Sequence, residues 1–177
     1  MLTPADQRIA LLLSKGVPQA FLDALARLDE HGPLRFAIRP PQGAYFYLPK
    51  IAHYRCIAGY TVTPIHDGAN GDVFHVHLGR GGESRFVRFA LEQDEIHADY
   101  GDHFQRMLAD LMIDLYESAD EVPIEELARI GSRIGFVAPL RLLRALEAAD
   151  QANLRSSFAA DAQWRAGTVP TILAAAQ

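Results

Sequence analysis

The stretch that decides the fold is Tyr60–Leu91, YTVTPIHDGANGDVFHVHLGRGGESRFVRFAL. Its runs of β-branched residues, or of alternating apolar and polar residues, are typical of β-strands. Asn70-Gly71 favours a tight hairpin turn, and the glycine-rich segment 79–82 predicts a second turn. The three runs that these turns separate are 60–65, 73–78 and 85–91. Together they predict an antiparallel meander of three strands.

The chain before the meander predicts two short helices and one more strand. Thr3 fits the N-cap of the first helix, which Gly16 ends. The second helix opens at Pro18 and ends before Pro33. Ala44–Leu48 is rich in aromatic residues and predicts a short strand.

After the meander the apolar residues recur with the period of a helix. Residues 102–118 predict a long helix, in which Asp102 and Gln105 have the spacing of a capping box. Pro123 and Leu140 mark two shorter helices. Helices, a β meander and then helices again predict the α+β class. We predict one domain over 1–177, with an α+β core over 1–118 and a helical C-terminal extension over 119–177.

Length and composition limit the classes that this protein can belong to. The chain has 177 residues, 49% of them hydrophobic and 22% charged, which is typical of one globular domain. It has no run of 18 apolar residues, so we expect no membrane partner. Its single cysteine, Cys56, excludes an internal disulfide framework, and we therefore expect a protein of the reducing cytoplasm.

The net charge of −5 is unevenly distributed. Residues 92–126 hold twelve acidic residues and one basic residue, Arg106, which gives −11, and the rest of the chain carries +6. Such a segment would repel the phosphates of a nucleic acid, so we expect no nucleic-acid partner. We predict instead that it binds a basic protein partner. The predicted binding residues are Glu92, Asp94, Glu95, Asp99 and Asp102. The alternative is a pair of solvated helix faces.

His75 and His77 are the candidate metal ligands. They lie at i and i+2 in a predicted strand, so both rings point to one side and could bind one ion. With Glu83 downstream they resemble the first motif of the cupins, although the intervals differ and no second motif follows. This arrangement predicts, as an alternative function, a small metal-dependent enzyme. The other interpretation places both rings on the wetter face of the sheet.

The sequence offers little for nucleophilic catalysis. Arg55 next to Cys56 could lower the pKa of that thiol, but a lone cysteine is more often a small buried residue. The chain has no Gly-x-Ser-x-Gly motif and no Walker motif. We therefore expect no catalytic residues and no cofactor.

The order of elements resembles the SUKH superfamily of bacterial toxin-immunity proteins, which are related to yeast cell-wall regulators. The similar segments are 17–22, with a proline followed by an aromatic residue, then 62–65, 70–74 and 103–108. The resemblance covers about residues 15–118. It implies a non-enzymatic domain that neutralises a cognate toxin, often a nuclease, by binding it. A third prediction is a structural subunit whose Ala-rich C-terminal helices pack against another chain, and homo-oligomerisation is left open.

Overall fold

A computed structural model describes residues 1–119 and 121–176, and it has helices on both sides of a central sheet. The five strands follow one another across the sheet in chain order, and every neighbouring pair is antiparallel. The predicted α+β class is therefore confirmed. The strands are β1 (Ile38–Arg39), β2 (Thr61–Gly68), β3 (Val73–Arg80), β4 (Glu83–Ala90) and β5 (Ala98–Gly101).

Three α-helices and a short 3₁₀ turn precede β1, one helix lies between β1 and β2, and four follow β5. In the described residues no helix has both the length and the apolar character needed to cross a membrane. The helices are α1 (Ala5–Ser14), α2 (Gln19–Ala26), α3 (Leu34–Ala37), α4 (Gln42–Tyr47), α5 (Phe104–Ser118), α6 (Ile124–Arg133), α7 (Pro139–Gln151) and α8 (Phe158–Ala174).

The predicted meander is confirmed as β2, β3 and β4, and both turns lie where the glycines are. The turn from β3 to β4 consists of Gly81 and Gly82, at φ +56° and +93°. Glycine adopts such angles without a steric penalty, which permits the two-residue connection. The sequence did not predict β1 and β5, which are only two and four residues long.

The prediction of a strand at 44–48 is wrong, because α4 occupies most of this segment. The carboxylate of Asp67 on β2 accepts hydrogen bonds from the backbone amides of Gly43 and Ala44, at 2.7 and 3.1 Å. These amides lie in the first turn of α4, where backbone donors have no partner within the helix. A tertiary contact therefore stabilises a helix over an aromatic sequence.

Both predicted side-chain caps are also wrong. Pro4 is the N-cap of α1, and the Thr3 hydroxyl instead lies 2.7 Å from that of Thr63 on β2. The N-cap of α5 is His103, without a side-chain cap. Gln105 binds the loop after α6 instead, accepting from the Val137 amide and donating to the Gly135 carbonyl. Long-range partners have replaced the local ones.

The sheet is buried on both faces. On one face, Phe74, Val76 and Phe89 pack with α4 and the segment that follows it. On the other face, Ile65 and Phe86 pack against the helical layer. His75 and His77 point to this second face, where they are 9% and 2% exposed. The interpretation of this face as the wetter one is wrong, since helices cover it.

The helices of the C-terminal region belong to the same hydrophobic core as α1, α2 and α5. Trp164 of α8 is half-buried against this core, and the guanidinium carbon of Arg155 lies 5.2 Å from its ring centre. The buried side chains from α6 to α8 therefore contact the rest of the chain. They include Leu127, Ile130, Leu142, Leu143, Leu146, Val169, Ile172 and Leu173.

Candidate functional site

The predicted binding carboxylates lie along one short segment at the edge of the sheet. Glu92, Asp94 and Glu95 lie in the loop between β4 and β5, Asp99 lies in β5, and Asp102 follows it. Strand β5 is the last strand of the sheet. We call residues 92–102 the acidic loop. It contains five carboxylates and no lysine or arginine.

Asp94 anchors this loop to the body of the protein. Its Oδ1 accepts a hydrogen bond from the Cys56 amide at 3.0 Å, and its Oδ2 accepts one from Nε of Arg55 at 3.4 Å. The backbone amides of Arg55 and Cys56 lower the pKa of Asp94 to about 2. The Asp94 carboxylate therefore holds the loop in place, while Glu92 and Glu95 on either side of it are exposed.

The remaining carboxylates of the acidic loop differ in how far they are neutralised. Asp99 pairs with Arg85 at 2.9 Å, whereas the one ion pair of Asp102 among the described residues is with the His103 ring, at 3.2 Å. Since Arg55 and Arg85 offset two of the five carboxylates, Glu92, Glu95 and Asp102 leave a surplus of three negative charges.

Unlike Glu92 and Glu95 of the acidic loop, the acidic residues of α5 are held in ion pairs within the protein. Asp110 and Asp114 lie 3.0 and 3.5 Å from Nη1 of Arg88 on β4. Glu117 pairs with Arg155 and Arg165. Although these arginines are far apart in the sequence, the fold brings them onto α5. Much of the charge in residues 92–126 is therefore used in intramolecular ion pairs.

The candidate metal ligands have different surroundings. His77 Nε2 lies 2.8 Å from the Ser84 hydroxyl, and its ring packs on Phe86. The ring of His75 instead stacks on that of His66, with the centroids 4.0 Å apart and the planes at 19°. Within residues 1–119 and 121–176, no group of three or more His, Cys, Asp or Glu is placed to hold a metal ion. A metal role for His75 and His77 stays a prediction.

A cavity of about 320 Å³, which the sequence did not indicate, lies between the sheet and α5. His66, His75 and Arg88 lie side by side on β2, β3 and β4, since each is the register partner of the next. Asp114 of α5 and His97, just before β5, complete its polar wall. The apolar residues that line the cavity are Ala37, Ile38, Val73 and Leu111.

A β-bulge explains why the sequence did not indicate this row. Pro64 pairs with Val76, but the next pair is His66 with His75, so Ile65 is an extra residue in β2. A regular strand would place His66 on the same face as Pro64. The bulge turns His66 to the face of His75, which is a typical effect of an extra residue.

The buried part of the polar wall combines two neutral imidazoles, those of His66 and His75, with the ion pair of Arg88 and Asp114. Burial lowers the pKa of His66 to about 4. Burial is also the main cause that lowers the pKa of His75 well below its usual value, and the nearby His66 ring is the second cause. His66 Nδ1 lies 3.2 Å from the Asp67 carbonyl, so the neutral ring donates there and leaves Nε2 as an acceptor. Burial, assisted by Asp110, raises the pKa of Asp114 to about 6.

Comparisons with protein-family models, with curated proteins and with solved structures found no match for this chain. The resemblance to the SUKH superfamily therefore stays a prediction, and functional proposals depend on the residues and geometry described above.

Cys56 does not have the surroundings of a reactive thiol. Its partial burial and the Asp94 carboxylate beside it raise the pKa of the thiol to about 11. The Arg55 guanidinium, which could have lowered this pKa, is directed to Asp94 instead. Because the thiolate is the reactive form, Cys56 is a poor nucleophile at neutral pH.

Proposed function

We propose that this protein is a non-enzymatic binding module that recognises a basic protein through its acidic loop. The observation that supports this most directly is the surplus charge of the loop: among the described residues, Arg55 and Arg85 are the arginines that pair with its five carboxylates. In the same part of the chain, Glu95 and Asp102 pair only with histidines. Glu92 and Glu95 are exposed on either side of the anchor residue Asp94. A charged loop held on a rigid scaffold suits recognition of a partner.

The chemistry of the loop favours electrostatic capture. Exposed carboxylates of one sign steer a basic partner during diffusion, and this effect weakens as salt screens the charges. The resemblance to the SUKH superfamily makes a bacterial toxin the expected partner. A nuclease fits best, because a surface that binds phosphate is basic.

The test uses a charge-reversed variant, Glu92→Lys with Glu95→Lys. Asp94 is left unchanged, because its substitution would release the loop from the Cys56 amide. The matched control is Glu125→Lys with Glu126→Lys, which reverses the same charge on exposed residues of α6. The candidate partner is the protein encoded next to this one, purified in an inactive form, and association is followed by biolayer interferometry.

At low ionic strength the loop variant should associate about tenfold more slowly than the unsubstituted protein. The α6 control should keep the association rate of the unsubstituted protein. Added salt should reduce the difference in association rate between the loop variant and the unsubstituted protein. An unchanged rate for the loop variant would exclude the acidic loop as the binding site. Equal slowing by both variants would show a non-specific effect of net charge.

A further inference from the structure

We propose that the cavity between the sheet and α5 binds a small carboxylate about the size of an amino acid, with Arg88 as its anchor. This site shares His97 with the acidic loop, but its proposed ligand does not depend on the function proposed above. Its polar wall is the row His66, His75 and Arg88, together with Asp114. At about 320 Å³ it lies at the small end of the range for ligand pockets.

The first argument is an unused polar group in the wall. His75 is more than nine-tenths buried, yet its Nδ1 has no hydrogen-bond partner among the described residues. Buried polar atoms in folded proteins almost always have a partner, and exceptions are frequent at functional sites. Because His75 lines the cavity, a ligand there would lie beside a buried ring whose Nδ1 still lacks a partner in the described part of the chain.

The second argument is the free edge of Arg88. Both carboxylates of α5, Asp110 and Asp114, approach this guanidinium at Nη1. Among the described residues, Nε and Nη2 of Arg88 have no hydrogen-bond partner, and their parallel N–H groups form the edge that binds a carboxylate through two hydrogen bonds. The geometry of Arg88 therefore favours a planar carboxylate.

The rest of the wall indicates what else the ligand contains. Nε2 of His66 and the carboxylate of Asp114 are acceptors, so they suit an amino or hydroxyl group beside the ligand carboxylate. Val73 and Leu111, which also line the cavity, suit an aliphatic side chain. Leucine has all three features and is the first probe.

Isothermal titration calorimetry with the full chain compares leucine with two analogues that each lack one group. Isocaproate lacks the amine and isoamylamine lacks the carboxylate. We expect leucine and isocaproate to bind, with chemical-shift changes at the His75 ring in NMR spectra, and isoamylamine not to bind. The proposal is overturned if neither carboxylate binds, or if isoamylamine, inorganic phosphate or zinc binds more tightly than isocaproate.

Two variants test the location of the site. Arg88→Lys keeps the positive charge but removes the paired N–H groups, and it should weaken binding roughly tenfold. Ala69→Leu fills the cavity from the turn after β2 and should abolish binding without disturbing the ion pairs of Arg88. The control is Asn70→Leu, the next residue of that turn, which does not line the cavity. Undiminished binding by the Ala69→Leu variant would place the ligand elsewhere.

Discussion

Arg165 on α8 donates a hydrogen bond to Asp110 on α5, with 2.9 Å between Nη1 and Oδ1. The other oxygen of Asp110 accepts a hydrogen bond from the Tyr100 hydroxyl at 2.6 Å, and Nη1 of Arg88 lies 3.0 Å away. One carboxylate thus joins the last two strands, the long helix and the C-terminal helix. Asp110 lies in the acidic segment 92–126 but outside the predicted binding residues, and its carboxylate is part of the internal structure.

The first prediction concerns this link. Arg165→Gln should lower the free energy of unfolding by about 2 kcal/mol, since it leaves Asp110 and Asp161 short of a cation in a partly buried setting. Urea denaturation followed by circular dichroism measures the change. The control Arg27→Gln removes an exposed pair with Glu30 and should change stability by less than about 0.5 kcal/mol. Equal losses in the two variants would contradict a special role for Arg165.

The second prediction concerns Asp67, which is 2% exposed. Asp67→Ala should destabilise the protein by about 2 kcal/mol, because the amides of Gly43 and Ala44 lose their acceptor. Asp67→Asn should destabilise the protein less, since the amide oxygen of asparagine still accepts one of these hydrogen bonds. Thermal unfolding compares both with Asp72→Ala, an exposed aspartate of the next turn. If Asp72→Ala is as damaging as Asp67→Ala, the contact with α4 is not the cause.

The third prediction is that replacing two helical glycines by alanine changes the stability of the protein in opposite directions. A Cβ on Gly131 of α6 would lie 2.6 Å from Cβ of Pro139 and 3.1 Å from the sulfur of Met112, so Gly131→Ala should cost about 1–3 kcal/mol. Gly167 of α8 has no atom within 4 Å of an added Cβ. Gly167→Ala should therefore gain about 0.5–1 kcal/mol from helix propensity. Differential scanning calorimetry would show a lower melting temperature for the first and a higher one for the second. Stabilisation by Gly131→Ala would disprove the close packing of α6, α7 and α5.

The fourth prediction is a pH dependence that comes from His77. Burial, with a smaller contribution from Lys15, lowers the pKa of His77 from 6.5 to about 4 in the folded protein. The unfolded chain therefore binds a proton that the folded protein does not, and this contribution to stability falls as pH drops from 6.5 toward 4. The free energy of unfolding should therefore be about 2 kcal/mol lower at about pH 5 than at neutral pH because of His77.

His77→Gln isolates this contribution, because its side chain does not titrate and can still reach Ser84. The quantity to compare is the free energy of unfolding of the variant minus that of the unsubstituted protein. This difference should be about 2 kcal/mol more favourable to the variant at about pH 5 than at about pH 7. Chemical denaturation at the two pH values measures this difference, and the other titrating groups cancel from it. A difference that does not depend on pH would contradict a lowered pKa for His77.

How much could be predicted from the sequence differs between the sheet and the site. The strands at 61–68, 73–80 and 83–90 were predictable, because alternation and glycine turns are local signals. The helix at 42–47 was not, because its amides are bound by Asp67, more than twenty residues away. The row of His66, His75 and Arg88 was hidden for a similar reason, since a bulge at Ile65 sets the face on which His66 lies.

The sequence by itself determined the α+β class, the three-strand meander and the negative charge of residues 92–126, since each depends on residue type and spacing along the chain. The tertiary structure decided which of those charges remain free. It places Arg88, Arg155 and Arg165 against α5 and leaves Glu92 and Glu95 exposed in the acidic loop. The reason is that ion pairs act over a few ångströms in space, and only the folded chain brings distant residues that close.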